Sequence, residues 1–127
     1  MPPTRKQKGN EGEQAARAYL EQQGYRCLAQ NWRAGRLGEL DLVMRSPENI
    51  LVFVEVKTRR GNAFGSPLEG VSARQQAQYA RLAECFVAQM METMPELATV
   101  TAWRFDVVGV EPSAQGVPRV THYPQAF

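Results

Sequence analysis

Gly38-Glu39-Leu40-Asp41-Leu42-Val43, followed across Ser46-Pro47-Glu48-Asn49 by Ile50-Leu51-Val52-Phe53-Val54-Glu55-Val56-Lys57, is the stretch on which the fold turns. Glu39 to Arg45 alternates, which predicts a strand with Glu39, Asp41 and Val43 on one face and Leu40, Leu42 and Met44 on the other. Ile50 to Lys57 is β-branched and almost wholly apolar, as expected of a central strand covered on both faces. The short turn between them predicts a hairpin, and antiparallel pairing about its centre sets Asp41 near Glu55. Glu55 and Lys57, two residues apart, project to one face about 7 Å from each other at the Cα atoms. Charges in apolar strands are costly unless paired or bound to a metal. A divalent cation beside a phosphate would compensate all three.

On the N-terminal side, Asn10 reads as the cap of an opening helix that carries Glu11 and Glu13 in its first turn and Ala16, Tyr19 and Leu20 at helical spacing until Gly24. Cys27 to Arg33 is a first strand and Ala34 to Gly38 the turn out of it. Thr58 to Gly70 is rich in glycine and reads as a loop. Ser72 then caps the longest helix, in which Ala73, Ala77, Ala80, Ala83, Phe86, Val87, Met90 and Met94 recur at helical spacing until Pro95. Thr99 to Val110 is a further strand and Arg119 to Tyr123 a short edge strand. The predicted order α-β-β-β-α-β-(β) is an α/β fold, a central mixed sheet flanked by helices. Residues 1–9 read as a basic, flexible arm and 10–127 as one domain.

A chain of 127 residues with 43% hydrophobic content is long enough for one conventional core. The longest apolar run, Ile50 to Val54, falls far short of the roughly 20 residues that cross a bilayer. The basic start from Met1 to Gly9 has no apolar segment after it, so it does not read as a secretory signal and a cytoplasmic protein is expected. Cys27 and Cys85 form no CxxC pattern and read as small buried hydrophobes. His122, the one histidine, reads as a solvated edge residue; zinc hydrolysis and Ser-His or Cys-His catalysis find no support. A formal charge of +2 says little by itself. Its distribution says more, because Arg5, Lys6 and Lys8, then Arg33 and Arg36, then Lys57, Arg59 and Arg60 flank the acidic motif and favour a polyanion.

Asp41 and Glu55 offer oxygen ligands suited to Mg²⁺ or Mn²⁺, which keep several waters and share phosphate oxygens. Lys57 beside them can hold a water and offset charge developing on phosphorus. Other residues have competing roles. Glu13 completes a capping box with Asn10 or assists the metal. Glu39 pairs with Arg36 as a supporting residue, and Asp106 pairs with Arg104. The Ala and Met stripe of the long helix reads as core, with Met90, Met91 and Met94 as the alternative seat of a dimer contact.

Gly38-Glu39-Leu40-Asp41-Leu42, Phe53-Val54-Glu55-Val56-Lys57-Thr58-Arg59 and Arg104-Phe105-Asp106-Val107-Val108 together resemble the YraN-like uncharacterised bacterial family, from about Gly12 to Val110. The resemblance implies the PD-(D/E)xK nuclease superfamily, with a restriction-endonuclease-like fold near archaeal Holliday-junction resolvases and RecB-type nucleases. It makes Asp41 and Glu55 metal ligands, Val56 the donor of a main-chain carbonyl to the metal, Lys57 the catalytic lysine and Glu13 a helical acid added to the site. Gln75 and Tyr79 resemble a helix motif of RecB-type nucleases, although Gln76 and Gln78 crowd its register. The proline of the nominal PD is absent here. The activity so implied is that of a metal-dependent nuclease acting on nucleic acid, DNA in the first instance and branched DNA among the candidates, with Arg33, Arg36, Arg59 and Arg60 on phosphates. The alternative is a non-catalytic nucleic-acid-binding accessory protein with the same fold. Junction resolution would call for a homodimer.

Overall fold

The computed structural model of the chain describes residues 5–58 and 71–127; Arg59, Arg60 and the rest of the glycine-rich loop lie outside them. In chain order the elements are helix α1 (Arg5–Gln22), strands β1 (Arg26–Arg33), β2 (Glu39–Arg45) and β3 (Ile50–Thr58), helix α2 (Ala73–Met90), and strands β4 (Ala102–Glu111) and β5 (Arg119–Tyr123). The strands form one sheet in the order β1-β2-β3-β4-β5. β3 and β4 run parallel, while the other neighbours are antiparallel. A parallel pair needs a long crossover, and α2 lies within it. The fold is α/β with a mixed sheet, in the predicted element order.

The β2–β3 hairpin forms as its turn residues dictate. Ser46 Oγ accepts from the Ile50 N–H at 3.0 Å, and Asn49 adopts the left-handed conformation at φ 67° that asparagine tolerates. The pairing runs from Arg45 opposite Leu51 to Leu42 opposite Val54. One face of the sheet packs Leu42, Met44, Val52, Val54 and Val108 against Ala16 and Leu20 of α1. The other packs Val43, Leu51 and Phe53 against Leu82, Ala83 and Phe86 of α2. β3 is therefore covered on both sides, as its unbroken apolar run requires.

Three expectations change. α1 begins at Arg5, so Asn10 lies inside the helix and exposed, and neither the cap nor the capping box with Glu13 exists. The weak helix propensity of Gly9, Asn10 and Gly12, worth about 1 kcal/mol for a glycine, is overridden by packing. At Gly12 a Cβ would sit 2.1 Å from Thr58 Oγ1, so the helix seats directly on β3 there. α2 closes at Met90 rather than at Pro95, which instead opens a short 3-10 turn. Ala73, Ala77 and Ala80 face solvent, because alanine suits either face and the larger Leu82 and Phe86 decide which one is buried. Among the described residues no helix is long and apolar enough to cross a membrane.

Candidate active site

Asp41, Glu55 and Lys57 converge where the β2–β3 ladder ends. Beyond the pair Leu42–Val54 the Asp41 side chain itself takes up the next strand: its Oδ2 accepts from the Val56 N–H at 2.9 Å. Lys57 Nζ lies 3.6 Å from Glu55 Oε1, both side chains being less than one-fifth exposed at 17% and 16%. The alternation expected of β2 breaks at Asp41. Leu40 joins the α2 core beside Trp32, whereas Leu42 joins the α1 core. Asp41 thus sits where the strand changes faces, with its carboxylate directed at the neighbouring main chain instead of into either core.

Burial, and then the charge of Glu55, push the Asp41 carboxyl up to about 8, with hydrogen bonding to Glu55 and the charge of Glu13 adding to the rise against the Val56 N–H. Burial likewise raises Glu13, while side-chain hydrogen bonding from Asn31 and Gln30 lowers it and the charges of Glu39 and Glu55 raise it. Glu13 Oε2 is buried with no hydrogen-bond partner. Burial also raises the Tyr79 phenol, together with the charges of Glu55 and Asp41 and a hydrogen bond to Glu55. Two acids, Asp41 and Glu55, thus share one end of the sheet, with Glu13 near enough for its charge to bear on Asp41. Such a donor set fits a hard divalent cation, whose charge would hold Asp41 ionised and whose shell takes few protein ligands. Among the described residues no group of three or more His, Cys, Asp or Glu is placed to hold a metal ion, so the protein's own share would be a pair of acids. Asp41 and Glu55 would be the holders, with the Val56 main chain beside them.

The other predicted residues divide. Tyr79 is at the site and lines a cavity of about 10 Å³ with Asp41, Glu55, Phe105 and Phe127. Gln75 is not: its Oε1 accepts from the Ser72 N–H at 3.1 Å and its own N–H donates to Ser72 Oγ at 3.2 Å, a complete capping box for α2. Gln78, one turn along, donates instead to the Leu37 carbonyl at 2.5 Å. A Cβ at Gly38, whose φ is 129°, would stand 2.8 Å from Gln78 Nε2, so that turn into β2 requires glycine. Glu39 pairs with Arg33 at 3.6 Å rather than with Arg36, both partners being largely exposed. Arg36 is exposed in the 3-10 turn Gly35–Leu37, and Arg59 and Arg60 lie outside the described residues.

A second polar cluster lies within β4 and β5. Fully buried Asp106 is gripped by Arg104 through two bonds of 2.8 Å, by His122 Nε2 at 2.6 Å and by the Gln125 N–H at 2.9 Å. Arg104 also donates to the Tyr25 hydroxyl at 2.8 Å. Asp106 pairs with Arg104 as expected, whereas His122 is no solvated edge residue: its side chain is 14% exposed and bound to Asp106. His122 stands opposite Val108 in the register and its partner Asp106 is a strand away, a contact that local sequence does not encode. Gln125 and Phe127 carry no local signal for the same reason. Asn31, at φ 53°, does carry one, since asparagine is among the few residues that enter the left-handed region.

Fold and site together define a mixed α/β domain with an acidic pair and a lysine at one end of its sheet. The model of the Uncharacterised protein family UPF0102 matches residues 12–110, and the chain belongs to that family. This is the family to which the YraN-like motifs pointed. UPF0102 protein STH1475 of Symbiobacterium thermophilum is 44% identical over 94% of each chain, and a UPF0102 protein of Desulforamulus reducens is 39% identical over 97% of each. Among solved structures, Pyrococcus furiosus SfsA in complex with Ca²⁺ aligns with 91% of this chain at a TM-score of 0.40 and 15% identity, the chain spanning 62% of that one.

Proposed function

We propose that this protein is a Mg²⁺- or Mn²⁺-dependent nuclease that hydrolyses phosphodiester bonds in DNA. The observation that carries the reading is the meeting of Asp41, Glu55 and Lys57 at the open end of the hairpin, with Asp41 pushed up to about 8 by burial and by Glu55. A stable fold has little reason to hold two half-buried acids together unless a cation is to join them. Asp41 and Glu55 bind that cation, Glu13 lends its unpartnered oxygen to the same region, and the Val56 carbonyl completes the protein's share. When bound, the cation supplies Lewis-acid polarisation of the phosphate and a more acidic water. Lys57 holds the attacking water and offsets the negative charge that grows on phosphorus. Water oxygen bonds to phosphorus, the P–O ester bond opposite it breaks, and the water's proton balances the departing oxygen. Arg33 and Arg36, exposed beside the site, and Arg59 and Arg60 bind phosphates in a salt-dependent manner largely independent of sequence.

The test is a panel of labelled single-stranded, duplex, flapped and four-way DNA, with RNA counterparts, incubated with Mg²⁺ or Mn²⁺. Cleavage of at least one DNA substrate is expected, with Asp41→Asn, Glu55→Gln and Lys57→Ala each lowering the rate by two orders of magnitude or more, the scale on which a charged transition-state contact acts. No cleavage at all, or cleavage undiminished in all three variants, overturns the reading. Tight binding without cleavage would leave the accessory role in its place.

A further inference from the structure

We propose that Phe127 is a positioning residue of this site: the segment 124–127, tied to buried Asp106, holds the Tyr79 ring beside the acidic pair. Its consequence for cleavage rests on the nuclease reading above, whereas the placement of Tyr79 is tested without it.

The tie starts in β4. Besides its two bonds from Arg104, the buried Asp106 carboxylate meets His122 Nε2 of β5 at 2.6 Å and, just beyond that strand, accepts from the Gln125 N–H at 2.9 Å. Gln125 has a φ of 51°, in the left-handed region that a long side chain seldom enters. Backbone in a sparsely populated region persists where the surroundings over-determine it. Here the next N–H, of Ala126, donates to the Phe105 carbonyl at 2.8 Å, so two successive main-chain bonds return the segment onto β4.

That return seats the Phe127 ring. Its centroid lies 5.3 Å from that of Phe105 and 5.5 Å from that of Tyr79, with interplanar angles of 30° and 35°, within the range of attractive ring pairs. Phe105 stacks in turn on Phe53 at 5.4 Å, and Phe53 is core at 2% exposure. Phe127 thus links Tyr79 of α2 to the sheet. With Phe105 and Tyr79 it closes a cavity of about 10 Å³ against Asp41 and Glu55, room for about one water. Among the side chains that line this cavity, Tyr79 carries the only hydroxyl. A hydroxyl serves a water or phosphate beside the acids only where its position is fixed, since a misplacement of about 1 Å is costly to a reaction. Fixing it is the task the geometry gives to Phe127.

Ring and turn are tested separately. Phe127→Ala removes the ring and Phe127→Tyr keeps it; Gln125→Pro removes the N–H and sets φ at about −65°, whereas Gln125→Gly keeps the N–H and accepts φ 51°. The four variants, Tyr79→Phe, and Phe127→Ala combined with Tyr79→Phe are compared well below each Tm, by hydroxyl-radical labelling read residue by residue and by DNA cleavage with Mn²⁺. Labelling of Tyr79 is expected to rise several-fold in Phe127→Ala and Gln125→Pro and to stay at wild type in Phe127→Tyr and Gln125→Gly. In the first two, kcat should fall by about tenfold to a hundredfold while KM for DNA holds. The double variant should cleave no more slowly than Tyr79→Phe alone. Unchanged labelling of Tyr79 in Phe127→Ala, a rise that buried Phe86 shares, wild-type kcat in that variant, or additive losses in the double variant overturns the proposal. If the wild-type protein cleaves no DNA, the nuclease reading falls by itself and labelling alone decides: exposure of Tyr79 by Phe127→Ala upholds the tie, and an unchanged Tyr79 overturns it.

Discussion

Asp41 keeps its proton far above the usual carboxylate range because burial and the neighbouring Glu55 both oppose its charge. In metal-free protein its folded pKa, about 8, exceeds the value of 3.8 for the exposed group. The native state then binds more protons than the unfolded chain between those values. The stabilisation is complete below 3.8 and is lost as pH rises through about 8. Denaturant midpoints measured in chelator should fall from about pH 5 to about pH 9, and Asp41→Asn should flatten that slope. Asp106 is the reverse case. Burial alone would raise it, but bonds from His122, Arg104 and Gln125 outweigh burial and hold it below 3.8. Its stabilisation is present above that value and is lost in acid, as pH falls through the lower folded pKa. Asp106→Asn leaves Arg104 without its buried partner, and a loss of about 3 kcal/mol is expected in urea unfolding. Asp41, Glu55 and Lys57 were legible because a four-residue turn fixes their register locally. The Asp106 cluster was legible only as far as Arg104, two positions away, since His122 and Gln125 arrive through strand pairing and the closing turn of the chain.

Among the elements, both helices were legible, as were the Ser72 cap of α2 and the Gly24 stop of α1, whereas the start of α1 and the close of α2 were not. Glycine and asparagine near the start of α1 carry stop and cap signals, yet Gly12 is there for close approach, not for termination. Helix propensity is a weak prior wherever tertiary packing acts on the same residue. Gly12→Ala should therefore destabilise, although alanine is the better helix former. Its Cβ cannot share space with Thr58 Oγ1, and lifting α1 from β3 should lower stability by about 1–3 kcal/mol in thermal or denaturant unfolding. Adding Thr58→Ala should restore part of the loss. The register of α2 relative to the site was obscured by Gln75, Gln76 and Gln78, which sequence alone does not distinguish. Capping geometry separates them: Gln75 completes the Ser72 cap, while Gln78 reaches the turn that leads into Asp41.

Across the molecule, the mixed sheet with α1 on one face and α2 on the other leaves one end of the β2–β3 hairpin for chemistry. Glu13 comes from α1, Asp41 from β2, Glu55 and Lys57 from β3 and Tyr79 from α2, so four elements must be assembled before the site exists. Phe127 stacks between Phe105 and Tyr79, with centroids 5.3 and 5.5 Å away, and ties the closing turn to the same wall. Whether this acidic end of the sheet is built to hold a divalent cation is decided by calorimetric titration of chelator-treated protein with Mn²⁺ at about pH 8, where Asp41 can give up its proton. Saturable binding that Asp41→Asn and Glu55→Gln each weaken at least tenfold is the result predicted; no binding by the wild-type protein, or equal binding by both variants, would contradict it.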